Sequence, residues 1–129
     1  MTNSLSGKKV LIAEDNTINA MIITRYLNKW GMIVDLATDG LMCVDKAVSG
    51  EYDLILMDMQ MPEMDGVEAT REIRKNNSNP HLKTIPIIAL TANSESDVAL
   101  EVKSAGMNGI IPKPFDPDEV RDQLSKILG

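Results

Sequence analysis

The sequence predicts an α/β fold: one doubly wound (βα)5 domain, with a parallel five-stranded sheet covered by helices on both faces. Three observations predict it. Short, largely apolar runs recur five times along the chain. Amphipathic stretches with apolar residues at helical spacing separate them. This alternation calls for parallel strands joined by right-handed crossovers. The 129 residues suit one domain and bury roughly two-thirds of the surface of the unfolded chain, enough to fold without a disulfide or metal staple.

Val10–Ala13 is the first strand, apolar throughout and so suited to burial on both faces. A helix follows over 16–30. Met32–Ala37 is a second strand, and Asp39-Gly40 opens a short helix carrying Leu41, Val44 and Val48. Leu54–Met57 is the third strand, and Asp65-Gly66 opens a helix that runs to about Lys75. Asn76–Pro80 is loop by composition. Ile85–Leu90 is the fourth strand, with Pro86 expected at its start, because a central strand needs its backbone donors. Ser94–Ala105 is helical, with Val98, Val102 and Ala105 on one stripe. Gly109–Ile111 is the fifth strand, closed by Pro112. The last helix has Asp116 as N-cap, Pro117 at its first position and Glu119 where a capping box wants it, with Val120, Leu124 and Ile127 as its buried stripe.

Composition narrows the function classes. Hydrophobic residues make up 43% and charged residues 25%, a globular mix. Thirteen basic residues against nineteen acidic ones give a net charge of −6. That excess argues against a nucleic-acid or anionic-membrane partner, both of which attract basic patches. Cys43 is the sole cysteine, which excludes an intramolecular disulfide and fits a reducing compartment. No apolar run approaches the roughly 18 residues of a membrane span, and MTNSLSGKK has no apolar signal core. The expectation is a soluble, cytoplasmic domain without direct membrane contact.

The polar residues at the strand ends carry the chemistry. In an open parallel sheet, ligands bind beyond the carboxyl ends of the strands. Glu14 and Asp15 follow the first strand, Asp58 the third, Thr91 the fourth and Lys113 the fifth. Each alone has an ordinary explanation: an Asp after a strand is usually a helix cap, a Thr a local hydrogen bonder, a Lys a surface charge. Together they converge on one rim. Three carboxylates and one ammonium leave that rim at −2, a charge that a hard divalent cation such as Mg²⁺ cancels. A carboxylate beside a metal can attack a phosphoryl group to give an aspartyl phosphate. Thr91 and Lys113 would then hold the phosphoryl oxygens.

LIAEDN, DLILMDMQMPEMDG, IIALTA and KPF, in this order, resemble a response-regulator receiver domain of two-component signalling, most closely the receiver modules of hybrid sensor histidine kinases and phosphorelays. The resemblance implies a flavodoxin-like sheet in strand order 2-1-3-4-5, with the domain over 8–129. It implies Asp58 as phosphoacceptor, and Mg²⁺ or Mn²⁺ held by Asp15, Asp58 and the backbone carbonyl of Gln60, with Glu14 acting through a metal-bound water. It further implies Thr91, Ala92 and Lys113 as phosphate-binding and switch residues, and a cis Lys113-Pro114 bond. The partner would be a histidine kinase or a histidine phosphotransfer domain, and the chain a monomer or weak dimer that turns over no independent substrate. Residues 1–7 read as a start codon on a linker remnant, and nothing after Leu128 could serve as an output domain. The expectation is therefore either a protein that acts alone by contact or a module of a longer chain, possibly the cytoplasmic module of a membrane-bound hybrid kinase.

Some positions depart from the family's pattern. Ile110 stands where a switch aromatic is usual, so the coupled threonine–aromatic movement cannot operate in its usual form. Gln60 and Asn93 occupy the positions that tune the phosphate's lifetime, and neither is charged. On the first helix, Ile22, Ile23, Tyr26, Leu27 and Trp30 are expected to pack on the sheet. Ile18 and Met21, beside Arg25 and with Pro114 across the rim, are expected to form a docking patch for a helical phosphohistidine partner. His81 has nothing nearby to orient it as a base. Cys43 is expected to be half-buried. Met57 reads as core, whereas Met59, Met61 and Met64 read either as packing or as a soft recognition surface near Asp58. Arg71, Glu72, Arg74 and Lys75 read as a solvated helix face.

Rival readings fit less well. An Asp-nucleophile phosphatase of the haloacid-dehalogenase kind places its nucleophile after the first strand in a D-x-D pattern, and Asp15-Asn16-Thr17 lacks the second Asp. A flavin carrier needs a phosphate loop there, which these acidic residues would repel. The remaining alternative is a phosphorylation-independent docking module of the same fold.

Overall fold

A computed structural model describes residues 5–93 and 95–128. The chain alternates β1 (Lys9–Ala13), α1 (Thr17–Lys29), β2 (Ile33–Ala37), α2 (Gly40–Ser49), β3 (Leu54–Asp58), α3 (Gly66–Lys75), a 3-10 turn (Pro80–Lys83), β4 (Ile87–Thr91), α4 (Glu95–Ala105), β5 (Gly109–Pro112) and α5 (Pro117–Leu128). Ser94, the expected start of α4, and Met1–Ser4 of the expected leader lie outside the described residues.

All strand pairs are parallel, and the sheet order is β2-β1-β3-β4-β5, as expected. Successive strand residues face opposite sides. Val10, Ile12, Leu54, Leu56, Ile88 and Leu90 therefore bury against α1 and α5. Leu11, Ala13, Ile55, Met57, Ile87 and Ala89 bury against α2, α3 and α4. Every residue of β3 and β4 is buried, which is why these runs show no polar alternation. Each fully buried Leu or Ile adds roughly 1.5–3 kcal/mol. The edge strands β2 and β5 remain partly exposed. Because the chain lays β2 on one side of β1 and β3 on the other, a crevice opens beyond the carboxyl ends of β1 and β3.

Local signals set the helix boundaries. Asn16, Asp39 and Asp65 each accept a backbone N–H from three residues on, at 2.8–2.9 Å, and so cap α1, α2 and α3. Asp116 accepts from the Asp118 amide at 2.9 Å at the start of α5. Helix α1 ends where Gly31, at φ +86°, lets the Met32 amide reach the Leu27 carbonyl and the Gly31 amide reach that of Asn28. Gly106, at φ +96°, ends α4 in the same way.

Packing differs from the sequence reading at several positions. On α1 the buried stripe is Ala20, Ile23, Leu27 and Trp30, and Ile22, one residue off that stripe, is 37% exposed. On α2 the small residues Gly40, Cys43 and Ala47 face inward, whereas Leu41, about 100° round the helix, is 47% exposed. Cys43 is fully rather than half buried, with its thiol 3.8 Å from the Met57 sulfur. Met59 is buried, and Met61 and Met64 pack half-buried against the core, while Met59 and Met61 also line the cleft that holds Asp58. Arg74 does not lie on a solvated face. Its guanidinium donates to the carbonyls of Gly106 and Leu82 and to the Asn108 side chain at 2.8–3.1 Å, joining α3 to the ends of two other elements. His81 donates to the Tyr52 carbonyl at 2.8 Å. Leu5, assigned by sequence to a leader, is fully buried in the core layer shared by α1 and α5, and the Gly7 amide bonds the Gly31 carbonyl. Pro86 precedes β4, where its carbonyl still serves the Ile55 amide.

Beside the edge strand, the Tyr52 hydroxyl donates to Asp35 at 2.5 Å, and Lys46 bonds the same carboxylate at 3.0 Å. Burial first, then Asp35, pushes the Tyr52 phenol from 10.0 up to about 12, and burial pushes the Cys43 thiol from 9.0 up to about 12. Across this window the folded chain keeps protons that the unfolded chain has lost, so stability falls as the pH rises through it. Urea unfolding at about pH 8 and about pH 11 should show that fall, with Tyr52→Phe reducing it by about 1 kcal/mol, since pH 11 crosses only half of the Tyr52 window. An unchanged pH dependence in the variant would contradict the assignment.

Candidate functional site

The sheet ladder carries the acidic residues to one rim. The Glu14 amide bonds the Ala37 carbonyl and the Met59 amide bonds the Leu90 carbonyl, so β1 and β3 run straight into the crevice. Glu14 and Asp58 end up 2% and 5% exposed, whereas Asp15 points to solvent. One oxygen from each of Glu14, Asp15 and Asp58 lies within 4.8 Å of the others. Lys113 reaches across from the end of β5, its Nζ 2.9 Å from Glu14 Oε1 and 3.2 Å from Asp58 Oδ2. Its own amide donates to the Thr91 carbonyl at 2.8 Å, and the Lys113-Pro114 bond that follows is cis. Thr91 is buried, and its Oγ1 accepts the Asn93 amide at 3.0 Å.

The electrostatics follow from this crowding. Burial first, then the hydrogen-bonded Asp58 carboxylate, pushes Glu14 up to about 7, although Lys113 acts against both. Burial disfavours the Lys113 ammonium, but Glu14 and Asp58 outweigh it and hold that group above its ordinary value. One ammonium thus offsets three clustered carboxylates only in part. Hard oxygen donors in this number and spacing fit a divalent cation such as Mg²⁺.

Glu14, Asp15, Asp58, Gln60, Thr91, Ala92, Asn93 and Lys113 all line one cleft of about 860 Å³. The Gln60 amide donates to Asp58 Oδ1 at 3.2 Å, which fixes the turn after β3. Ile110 does not reach the cleft lining; it is half-buried against the α2–α4 layer. Ile18 and Met21 are 68% and 51% exposed on the flank of the cleft, and Pro114 is exposed. Met21 and Arg25 also line a narrow apolar groove with Ala20, Thr24 and Leu36. Sequence reasoning missed Asn16, Thr17 and Asn19, which place the first turn of α1 in the cleft wall. Polar residues crowded into the turn directly after the acidic pair were the available signal.

Comparison with known proteins agrees with this geometry. A family model described as the response regulator receiver domain matches residues 10–125. The chain is 41% identical over 126 residues to the peroxide stress-activated histidine kinase mak1 of Schizosaccharomyces pombe, covering 95% of this chain and 8% of that protein. It is 43% identical over 119 residues to the autoinducer 2 sensor kinase/phosphatase LuxQ of Vibrio vulnificus, covering 92% of this chain and 13% of that protein. The chain thus spans about a tenth of the length of these relatives. Among solved structures, it resembles the receiver domain of a sensor histidine kinase from Pseudomonas aeruginosa, determined with a magnesium ion coordinated in the active-site cleft. That match has 39% identity and a TM-score of 0.86, and covers 96% of this chain and 99% of that one. The chemotaxis protein CheY4 of Vibrio cholerae has 29% identity and a TM-score of 0.87, with 95% and 100% covered. Fold, acidic cleft and sequence agree: the chain belongs to the response regulator receiver domain family.

Proposed function

We propose that this domain accepts a phosphoryl group from a phosphohistidine partner onto Asp58, in a two-component or phosphorelay pathway. The observation that carries the reading is the single lysine shared by two buried carboxylates at the carboxyl ends of β1 and β3, with a third carboxylate beside them. An Asp58 oxygen forms the new O–P bond while the P–N bond to the partner's imidazole breaks, and that electron pair returns to the ring nitrogen. Lys113, already paired with Asp58, offsets charge on the phosphoryl oxygens as they arrive. The Thr91 hydroxyl accepts from Asn93 and keeps its own proton for a phosphoryl oxygen. Asp15, Asp58 and the Gln60 carbonyl would hold Mg²⁺, whose charge draws electron density from the phosphoryl group and relieves the carboxylate crowding; the Glu14 carboxylate would act on that site through water. Water attack on the aspartyl phosphate later releases phosphate and restores the carboxylate.

With Ile110 half-buried outside the cleft, the switch runs through Thr91 and the loop after β4 rather than through a buried ring. The donor docks on Ile18, Met21 and Arg25, beside the apolar groove. The similarity to a histidine kinase and a sensor kinase/phosphatase, of which the chain spans about a tenth, supports a module of a longer kinase chain, lying on its cytoplasmic side. Among the described residues, no helix is long and apolar enough to cross a membrane.

Beryllofluoride with Mg²⁺ should ligate Asp58 and fail to do so in Asp58→Asn; equal binding by that variant would refute the phosphoacceptor and leave a docking module. Gln60→Ala and Asn93→Ala should each alter the lifetime of the phosphorylated form, and the reading fails if both rates equal the parent's. Ile18→Asp should slow transfer from the phosphohistidine partner by about tenfold while leaving transfer from acetyl phosphate unchanged. Equal slowing with both donors would remove the docking role.

A further inference from the structure

The loop joining β3 to α3 (59–65) includes Gln60 and is closed at its base by the Gly66 amide, which donates to the Met59 carbonyl at 3.2 Å. Glu63 stands in the left-handed region at φ +68°, uncommon for a side chain of its size. The Met64 amide closes a tight turn onto the Pro62 carbonyl at 2.7 Å. Close backbone packing pins the loop's carboxyl-terminal half at two points. At its far end, a Cβ on Gly66 would overlap the Asp58 carbonyl oxygen, so only glycine lets α3 start there. The second pin comes from another helix. Gly40, in the first turn of α2, lies so close to Met64 that a Cβ would overlap its carbonyl oxygen and stand 2.7 Å from its carbonyl carbon. Helix α2 contributes no residue to the cleft lining.

We propose that Gly40 is a positioning residue for cation binding: by letting α2 seat against the Met64 carbonyl, it fixes the β3–α3 loop and with it the Gln60 carbonyl. This rests on the reading that the Gln60 carbonyl is a ligand of Mg²⁺. The Met64–Pro62 turn and the Gly66–Met59 hydrogen bond tie the loop into one short unit, so a side chain at Gly40 that displaces Met64 also shifts Gln60. The Asp15 and Asp58 carboxylates, set by β1 and β3, stay in place. The change therefore registers as weaker cation affinity rather than loss of fold. Outer-shell supports of metal ligands typically account for about 10–100-fold in affinity.

Gly50, at the opposite end of α2, provides the matched control, because its Cβ would meet the Tyr52 ring at 2.7 Å, away from the cleft. Mg²⁺ titration by calorimetry, with thermal unfolding in parallel, should show a dissociation constant about tenfold weaker for Gly40→Ala. For Gly50→Ala it should be close to the parent's even where the stability loss is similar. Equal weakening in both, or none in Gly40→Ala, overturns the proposal. A readout on the parent chain covers the case in which Gly40→Ala fails to fold: the Gly40 and Met64 amide resonances should move with Mg²⁺ in step with Asp58, and a stationary Gly40 overturns the inference. A parent chain that binds no Mg²⁺ would instead sink the underlying assignment of Gln60.

Discussion

The ammonium of Lys113, lying between the buried carboxylates of Glu14 and Asp58, is the contact on which the rest of the cleft depends. Two carboxylates at this depth repel one another and resist ionisation, as the upward displacement of Glu14 records. Removing the lysine would leave uncompensated buried charge, a far larger penalty than losing a surface ion pair. Yet Lys113 only partly neutralises the cluster. The remaining charge suits a divalent cation and a phosphoryl group, which add two opposite charges to one small space. Of the chain's net −6, this cluster holds −2; the rest is distributed as ordinary surface charge.

The sheet order makes that contact possible. Because β3 lies on the opposite side of β1 from β2, Glu14, Asp15 and Asp58 come to neighbouring strand ends. Lys113 must reach from β5, beyond β4, and its backbone is tied to Thr91 on the way. The five strands thus bring acidic, hydroxyl and basic groups to one rim, although they are almost a hundred residues apart in sequence. Helix caps at Asn16 and Asp65 then fix the two loops that enclose the cleft.

Parts of this were legible residue by residue. The apolar runs gave the strands, Asp39, Asp65 and Asp116 gave the helix starts, and the polar residue after each central strand gave the rim. The failures share one cause, which is that periodicity says which residues are neighbours on a helix but not which way the helix is turned. Ile22 and Leu41 are apolar at near-helical spacing, yet each sits about one residue's rotation from the stripe that meets the sheet. Arg74 lies in a run of charges, but the carbonyls it binds belong to segments more than thirty residues away or across a turn. Leu5 read as leader because nothing local marks it, whereas the core layer it joins is built by α1, α5 and one face of the sheet.

The sequence alone determined the alternation of strands and helices and the chemical types that stand at the strand ends, since both follow from short-range pattern. Only the tertiary structure decided how deep each carboxylate lies, that one lysine serves two of them, and that α2 packs against the loop after β3 with no room for a side chain at Gly40. Burial, shared charge and close backbone approach depend on several separated segments meeting at one point. No local stretch of sequence encodes that meeting.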